Sequence, residues 1–221
     1  MKLLGKEIKA VILDMDGTLI DSTSLWQDID RKFFEKRGMK VPVEYAQHIV
    51  HLGLEQAAEY TKKAYGFKES PKEIIEEWHQ MSLIIYQNDV ELKEGAIALL
   101  EYLRTTDVKT AIATANDEAL YRPCVERLDI EKYFDFIADV SVVKEGKHSA
   151  KIYQYLADKM GALPENTLVV EDMPTCIKTA HDAGFVTVAI YDKNSSKYDN
   201  EKRSNSDLFI NNLNELIAAL K

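Results

Sequence analysis

The run over residues 8–13 is short, rich in β-branched side chains and stopped abruptly by Asp14. Such a segment is apolar on both faces, and a strand buries both faces inside a parallel sheet covered by helices on either side. Residues 110–113, 168–170 and 186–190 have the same character, and residues 208–210 form a further candidate. Helical patterns lie between them. Residues 149–160 open on Ser149 as a cap and stop at Gly161, while residues 174–183 open on Pro174 and stop at Gly184. From Gly95 onward strand and helix alternate, which predicts an α/β fold built on a Rossmann-like parallel sheet.

Residues 22–93 break that alternation, because they carry helical periodicity without a convincing strand. Helices are predicted over residues 25–36, 54–64 and 71–87. The last is announced by Ser70 as a cap, Pro71 in the first turn and Glu73 three residues after the cap. The chain is therefore expected to hold two units: an α/β core of residues 1–21 and 94–221, and an inserted small α-helical cap domain of residues 22–93. The polar stretch over residues 193–207 reads as an exposed loop or short insertion.

Composition narrows the function. A chain of 221 residues that is 46% hydrophobic can bury a substantial core. A formal charge of −9 argues against a general nucleic-acid binder, which needs a basic stripe to displace counterions. The basic pairs Lys62-Lys63 and Lys202-Arg203 are short and interrupted by acids, so they are expected on the solvated surface. Residues 1–9 do not resemble a secretory signal, and no run approaches a membrane span. Cys124 and Cys176 lack partner spacing, which fits reduced packing thiols in a cytoplasmic protein. No protein partner is evident.

Ligands of parallel α/β sheets collect beyond the carboxyl ends of the strands. Three strand ends carry polar residues: Asp14-Met15-Asp16-Gly17-Thr18, Thr114-Ala115-Asn116 and Glu171-Asp172. Asp14 and Asp16 repel each other unless something positive neutralises them, and Mg2+ does so with one or two carboxylates plus phosphate oxygens and water. Asp172, arriving from a separate strand, could complete such a site. An isolated Asp-x-Asp-Gly is equally a helix-capping turn; the two further strand ends favour the metal site. Asn116 either contacts phosphate or caps the following helix.

Taken together, these segments resemble the haloacid dehalogenase-like superfamily, in its β-phosphoglucomutase and phosphoglycolate phosphatase-like branch. The resemblance rests on Asp14 to Thr18, on Thr114, on Lys147 after Gly146, and on Glu171-Asp172 followed by Ala183-Gly184, and it spans nearly the whole chain. It implies that Asp14 attacks phosphorus to form an aspartyl phosphate and that Asp16 serves as general acid and base. Thr114 and Lys147 would join the catalytic set, with Gly17, Thr18, Ala115 and Asn116 around the phosphate. Mg2+ would be held by Asp14, Asp16 through its backbone carbonyl, and Asp172, with Glu171 as an acidic partner. Asp16 and Asp172 together favour phosphoryl transfer over carbon–halogen cleavage, because the latter needs no second acid.

The chain departs from the family pattern in two places. His148-Ser149-Ala150-Lys151 stands where relatives are proline-rich, and Cys176 replaces a frequent glycine. The insert resembles the family's small helical cap, in which Trp26 and residues 51–54 could contact substrate; Trp26 also fits a helical apolar pattern with Phe33. Sugar-phosphate mutases of the branch place a histidine about ten residues after the general acid, where this chain has Trp26. The expected activity is a Mg2+-dependent phosphatase of a small phosphorylated metabolite. The alternatives are a phosphomutase and a non-catalytic module that kept the fold.

Overall fold

The computed structural model describes residues 1–22, 25–49 and 54–220. In chain order, β1 (Lys2–Leu3) and β2 (Lys6–Glu7) form an antiparallel hairpin, and β3 (Ala10–Asp14) enters the main sheet. Four helices follow: α1 (Leu25–Glu35), α2 (Tyr45–Ile49), α3 (Leu54–Tyr65) and α4 (Pro71–Asn88). Alternation then sets in with α5 (Ala96–Arg104), β4 (Lys109–Thr114), α6 (Glu118–Arg127), β5 (Phe136–Asp139), α7 (Lys151–Met160) and β6 (Thr167–Glu171). The remainder is α8 (Pro174–Asp182), β7 (Val186–Ile190), α9 (Asp199–Ser204), β8 (Leu208–Ile210) and α10 (Leu213–Ala219). The chain divides into two compact units, Met1–Thr23 with Val90–Lys221, and Ser24–Asp89.

The larger unit is a six-stranded parallel sheet in the order β5-β4-β3-β6-β7-β8. From β3 the chain moves outward to β4 and β5, then returns to the other side of β3 and continues outward through β6, β7 and β8. That reversal places a crevice at the carboxyl ends of β3 and β6. All residues of β3, β6 and β7 are buried, as strands covered on both faces must be. On one face Ile12, Ala111, Ala113 and Val169 pack with Ile152, Tyr153 and Leu156 of α7 and Ala180 of α8. The alternate residues Val11, Leu13, Ile112, Leu168 and Val170 point the other way and are equally buried.

Several boundaries differ from the sequence reading. The first, second and third strands each extend through the polar residue at their carboxyl end, so Asp14, Thr114 and Glu171 are the last residues of β3, β4 and β6. Strand β5 lies at the sheet edge; its half-buried Phe136 and Ile137 give it a weaker apolar signature than the central strands. Ser149 is not the cap of α7: the helix begins after Ala150, and the Ser149 hydroxyl accepts from the Lys151 amide at a long 3.4 Å. Residues 193–207 are not simply an exposed loop. They contain a turn at Ser196–Tyr198 and α9, and within them Ser195 and Lys202 are buried. Lys202 is thus misread as solvated surface, since pairing and hydrogen bonds inside the fold compensate its charge. Among the described residues, no helix is long and apolar enough to cross a membrane.

The helical unit is organised by aromatic packing. Phe33 and Phe34 of α1, Tyr45 of α2, Tyr65 of α3, Phe67 in the α3–α4 connection and Trp78 of α4 form a run of edge-on and tilted ring contacts, with centroids between 4.8 and 6.1 Å apart. The Arg37 guanidinium lies 3.7 Å from the Phe33 ring centroid and pairs with Glu69 at 2.6 Å and Glu77 at 2.7 Å. Ser70 and Glu73 close a reciprocal capping box at the start of α4, as the sequence predicts. Trp26 does not join Phe33 in this core. It is 43% exposed and borders a cavity of about 310 Å³ with Ile29, Asp30, Leu54, Ala57 and Trp78. Residues 51–53, which the sequence offered as substrate contacts, lie outside the described residues.

Asp30 has no hydrogen-bond or ion-pair partner among the described residues, and burial pushes its carboxyl up to about 7. A carboxyl with a folded pKa above its unfolded value takes up a proton on folding between the two values. Stability therefore falls as pH rises through that window. Asp30→Asn is expected to raise the melting temperature by several degrees near pH ~8 and to change it little near pH ~4, a contrast readable by thermal unfolding at the two pH values.

Candidate active site

The sheet register assembles the centre of the site. Leu13 pairs with Val170, so the next residues, Asp14 and Glu171, end adjacent strands at the same level. Both share the face of Ile12 and Val169, turned toward α7. Asp172 follows Glu171 at once, and ligand oxygens of Asp14, Glu171 and Asp172 all lie within 4.8 Å of one another. All three side chains are buried.

Lys147, from the loop between β5 and α7, enters this cluster with 8% of its side chain exposed. Its ammonium donates to Asp14 Oδ1, to Glu171 Oε1 at 2.7 Å and to the Ala113 carbonyl at 3.3 Å. Burial disfavours the ammonium, but the Asp14 and Glu171 carboxylates outweigh burial and hold Lys147 protonated well above its ordinary range. The Tyr153 hydroxyl of α7 donates to Glu171 Oε1 at 2.8 Å. Glu171 Oε2 is buried with no partner.

One ammonium against three carboxylates leaves two negative charges uncompensated. Burial and the neighbouring Asp14 charge push Glu171 up to about 7, and burial with Asp14 and Glu171 pushes Asp172 well above the carboxylate range. A hard divalent cation matches this donor set. It would take oxygen ligands from buried carboxylates, compensate both charges and give the unpartnered Glu171 Oε2 a counter-ion.

Asp16 is held apart from the trio. Its Oδ1 accepts from the Ser22 hydroxyl and its Oδ2 from the Asn116 amide at 2.7 Å. Asn116 is not the cap of α6: that role falls to Asp117, which accepts from the Leu120 amide at 3.0 Å. Thr114 is fully buried, and its hydroxyl oxygen accepts from the Asn116 amide N–H at 3.1 Å.

Gly17 earns its place sterically. Its amide donates to the Ile20 carbonyl at 2.9 Å. A Cβ there would lie 2.7 Å from Asp172 Oδ2, and the backbone has φ of 80°, so a side chain is excluded twice over. Thr18 is buried with its hydroxyl unpartnered.

Sequence reasoning passed over Ser22, Lys93, Tyr153, Asp192 and Ser195. Lys93 donates to the Gly17 carbonyl at 2.7 Å and pairs with Asp192 at 3.0 Å, tying the loop after β3 to the loop after β7. Tyr153 sits at an apolar helical position, where a tyrosine gives no signal separate from packing. Cys124 and Cys176 are free; burial pushes the Cys124 thiol up to about 11 and raises Cys176 further, so both stay protonated.

The fold has close counterparts. The family profile described as haloacid dehalogenase-like hydrolase matches residues 11–190, and the chain belongs to that family. A phosphorylated carbohydrates phosphatase of Thermotoga maritima is 28% identical over 180 residues, covering 80% of this chain and 82% of that protein. A crystal structure from Thermotoga maritima, provisionally named a β-phosphoglucomutase, superposes with a TM-score of 0.82 at 24% identity, covering 96% of this chain and 100% of that one. The tyrosine-protein kinase PtkA of Mycobacterium tuberculosis is 28% identical over 195 residues, covering 84% of this chain and 63% of that protein.

Replacing Lys147 by Met would leave the buried carboxylates facing one another without their ammonium. Lys147→Met is expected to lower stability of the metal-free protein by about 3–5 kcal/mol in denaturant unfolding at pH ~8. The loss should shrink near pH ~6, where Glu171 takes up a proton and the repulsion is relieved.

Proposed function

We propose that the chain is a Mg2+-dependent phosphatase of small phosphorylated metabolites, sugar phosphates among them, working through a phosphoryl group carried on Asp14. One observation carries the reading. Buried Asp14, Glu171 and Asp172 gather around Lys147, while a second acid, Asp16, is held separately by Ser22 and Asn116. A nucleophile and a proton carrier thus occupy different positions at one sheet edge.

In the first step an Asp14 carboxylate oxygen attacks phosphorus as the bond to the leaving oxygen breaks, and Asp16 delivers its proton to that oxygen. In the second, Asp16 takes a proton from water as the water oxygen attacks phosphorus. The Asp14–phosphorus bond breaks, giving free phosphate and the original carboxylate. Ser22 suits both halves, because a hydroxyl can donate to ionised Asp16 or accept from its protonated form. Lys147, fixed by Glu171 and the Ala113 carbonyl, brings positive charge to the phosphoryl oxygens, and Thr114 and Asn116 line the same strand end. Mg2+ would be held by Asp14, Asp172 and the Asp16 backbone carbonyl beside Glu171, and when bound it would offset the charge of the phosphoryl group and its nucleophile.

The phosphatase of Thermotoga maritima named for phosphorylated carbohydrates supports the substrate class. The mutase and kinase names of two further relatives point to phosphoryl acceptors other than water. Water is favoured here by Trp26, which offers no imidazole ten residues after Asp16. We assign the reading of the substrate's non-phosphate part to the helical unit, as a cap. A cytoplasmic setting suits phosphorylated metabolites and two free thiols.

Purified protein is expected to release phosphate from members of a panel of sugar phosphates, nucleotides and small phosphorylated acids, to lose activity in EDTA and to recover it with Mg2+. Asp14→Asn should lower turnover about a thousandfold or more. Full activity in that variant removes Asp14 as nucleophile, and isomerisation of a sugar phosphate without net phosphate release supports the mutase instead.

A further inference from the structure

Behind Asp172 lies a second polar assembly that phosphoryl transfer, as described above, does not use. Lys202 of α9 is fully buried, although it sits in a segment rich in Asn, Ser, Lys and Asp. Its ammonium donates to Ser195 Oγ at 2.9 Å and to the Ile190 carbonyl at 3.3 Å, and it pairs with Asp199 at 3.0 Å. Ser195, also buried, places its hydroxyl 3.2 Å from Asp172 Oδ2, 3.3 Å from the Asp172 carbonyl and 3.5 Å from the Asp192 carbonyl.

The direction of this chain is fixed by chemistry. A lysine ammonium only donates, so Ser195 Oγ accepts from Lys202 and must spend its single proton elsewhere. Of the acceptors within reach, the Asp172 carboxylate is the one that carries charge when ionised, and charge-assisted bonds are the stronger. A positively charged group behind the hydroxyl polarises it further toward that carboxylate. Asp172 Oδ2 is thereby confined between Ser195 and Gly17, where a Cβ would already be 2.7 Å away. Among the described residues, no donor is recorded at Oδ1.

We propose that Lys202 and Ser195 form a donor chain that orients Asp172 toward the divalent cation, which makes both of them positioning residues for the metal. The inference rests on the proposed role of Asp172 in holding Mg2+. It explains why a lysine is buried on a short polar helix, and why Ser195 turns inward. Groups that hydrogen-bond a ligating carboxylate fix its orientation, and their loss usually weakens metal binding about 10–100-fold.

Mn2+ serves as the probe, because electron paramagnetic resonance reads free Mn2+ directly without relying on turnover. With the full chain held well below its unfolding temperature, Ser195→Ala is expected to weaken Mn2+ binding about tenfold, and Ser195→Thr, which keeps the hydroxyl, to stay within about twofold of the parent. Lys202→Met should weaken binding in the same direction. The double variant should be no weaker than the weaker single variant, since the two residues act in series. Folded Ser195→Ala protein that binds Mn2+ within twofold of the parent overturns the chain, whatever Lys202→Met does to stability. Additive losses in the double variant overturn the series arrangement. A parent protein that binds no Mn2+ overturns the metal site itself, and is told apart from failure of the donor chain by appearing before any substitution.

Discussion

Asp14, Glu171 and Asp172 are driven together by backbone geometry and driven apart by charge, and that opposition sets the character of the core unit. Parallel pairing of β3 with β6 fixes Asp14 and Glu171 on adjacent strands at one level, so neither can retreat without breaking ladder bonds in the middle of the sheet. Burial removes the water that would otherwise screen them. The arrangement persists because Lys147 is inserted between Asp14 and Glu171 and because Tyr153 donates to the same Glu171 oxygen. Even so, the compensation is incomplete, and the upward displacement of Glu171 and Asp172 is its thermodynamic trace.

Around that centre, neighbouring segments act as fixed supports. The loop after β3 turns back on itself through hydrogen bonds that the Leu19 and Ile20 N–H groups donate to the Met15 carbonyl, which sends Asp16 away from Asp14 although they are two residues apart. Lys93 fastens this loop to the loop after β7 through Gly17 and Asp192. Two carboxylates close in sequence consequently acquire different surroundings: Asp14 faces an ammonium within a buried cluster, whereas Asp16 is half-buried and held by a hydroxyl and an amide. Different surroundings are the general means by which one fold gives two carboxyl groups two roles.

Much of this was legible in sequence where local physics is strong. Fully apolar strands, the capping box at Ser70 and the polar residues that stop β3, β4 and β6 announce themselves within a few residues, and they define the sheet and its working edge. Strand β5 was lost because an edge strand needs burial on fewer positions. Lys202 and Ser195 were lost for another reason. A lysine among polar residues is solvated unless distant partners exist, and its partners here, Ile190 and Ser195, are supplied by the end of β7 and the turn that follows. The bond from Asn116 to Asp16 was hidden in the same way, since the two are 100 residues apart, and the capping role at α6 belongs to the neighbouring Asp117.

These long-range contacts share a pattern. Each joins a residue at or just beyond a strand end to a cation, amide or hydroxyl from a loop or a short polar helix: Lys147 to Asp14, Asn116 to Asp16, Lys93 to Gly17, and Ser195 with Lys202 to Asp172. The sheet fixes where the carboxylates begin, and the loops fix where they point. A single-residue change in such a loop can leave burial and secondary structure intact while turning one carboxylate by enough to alter what it binds, because orientation at a charged site is far steeper in energy than packing at its rim. The polar loops of this chain, which look least structured in sequence, are therefore where the chemistry of its sheet edge is adjusted.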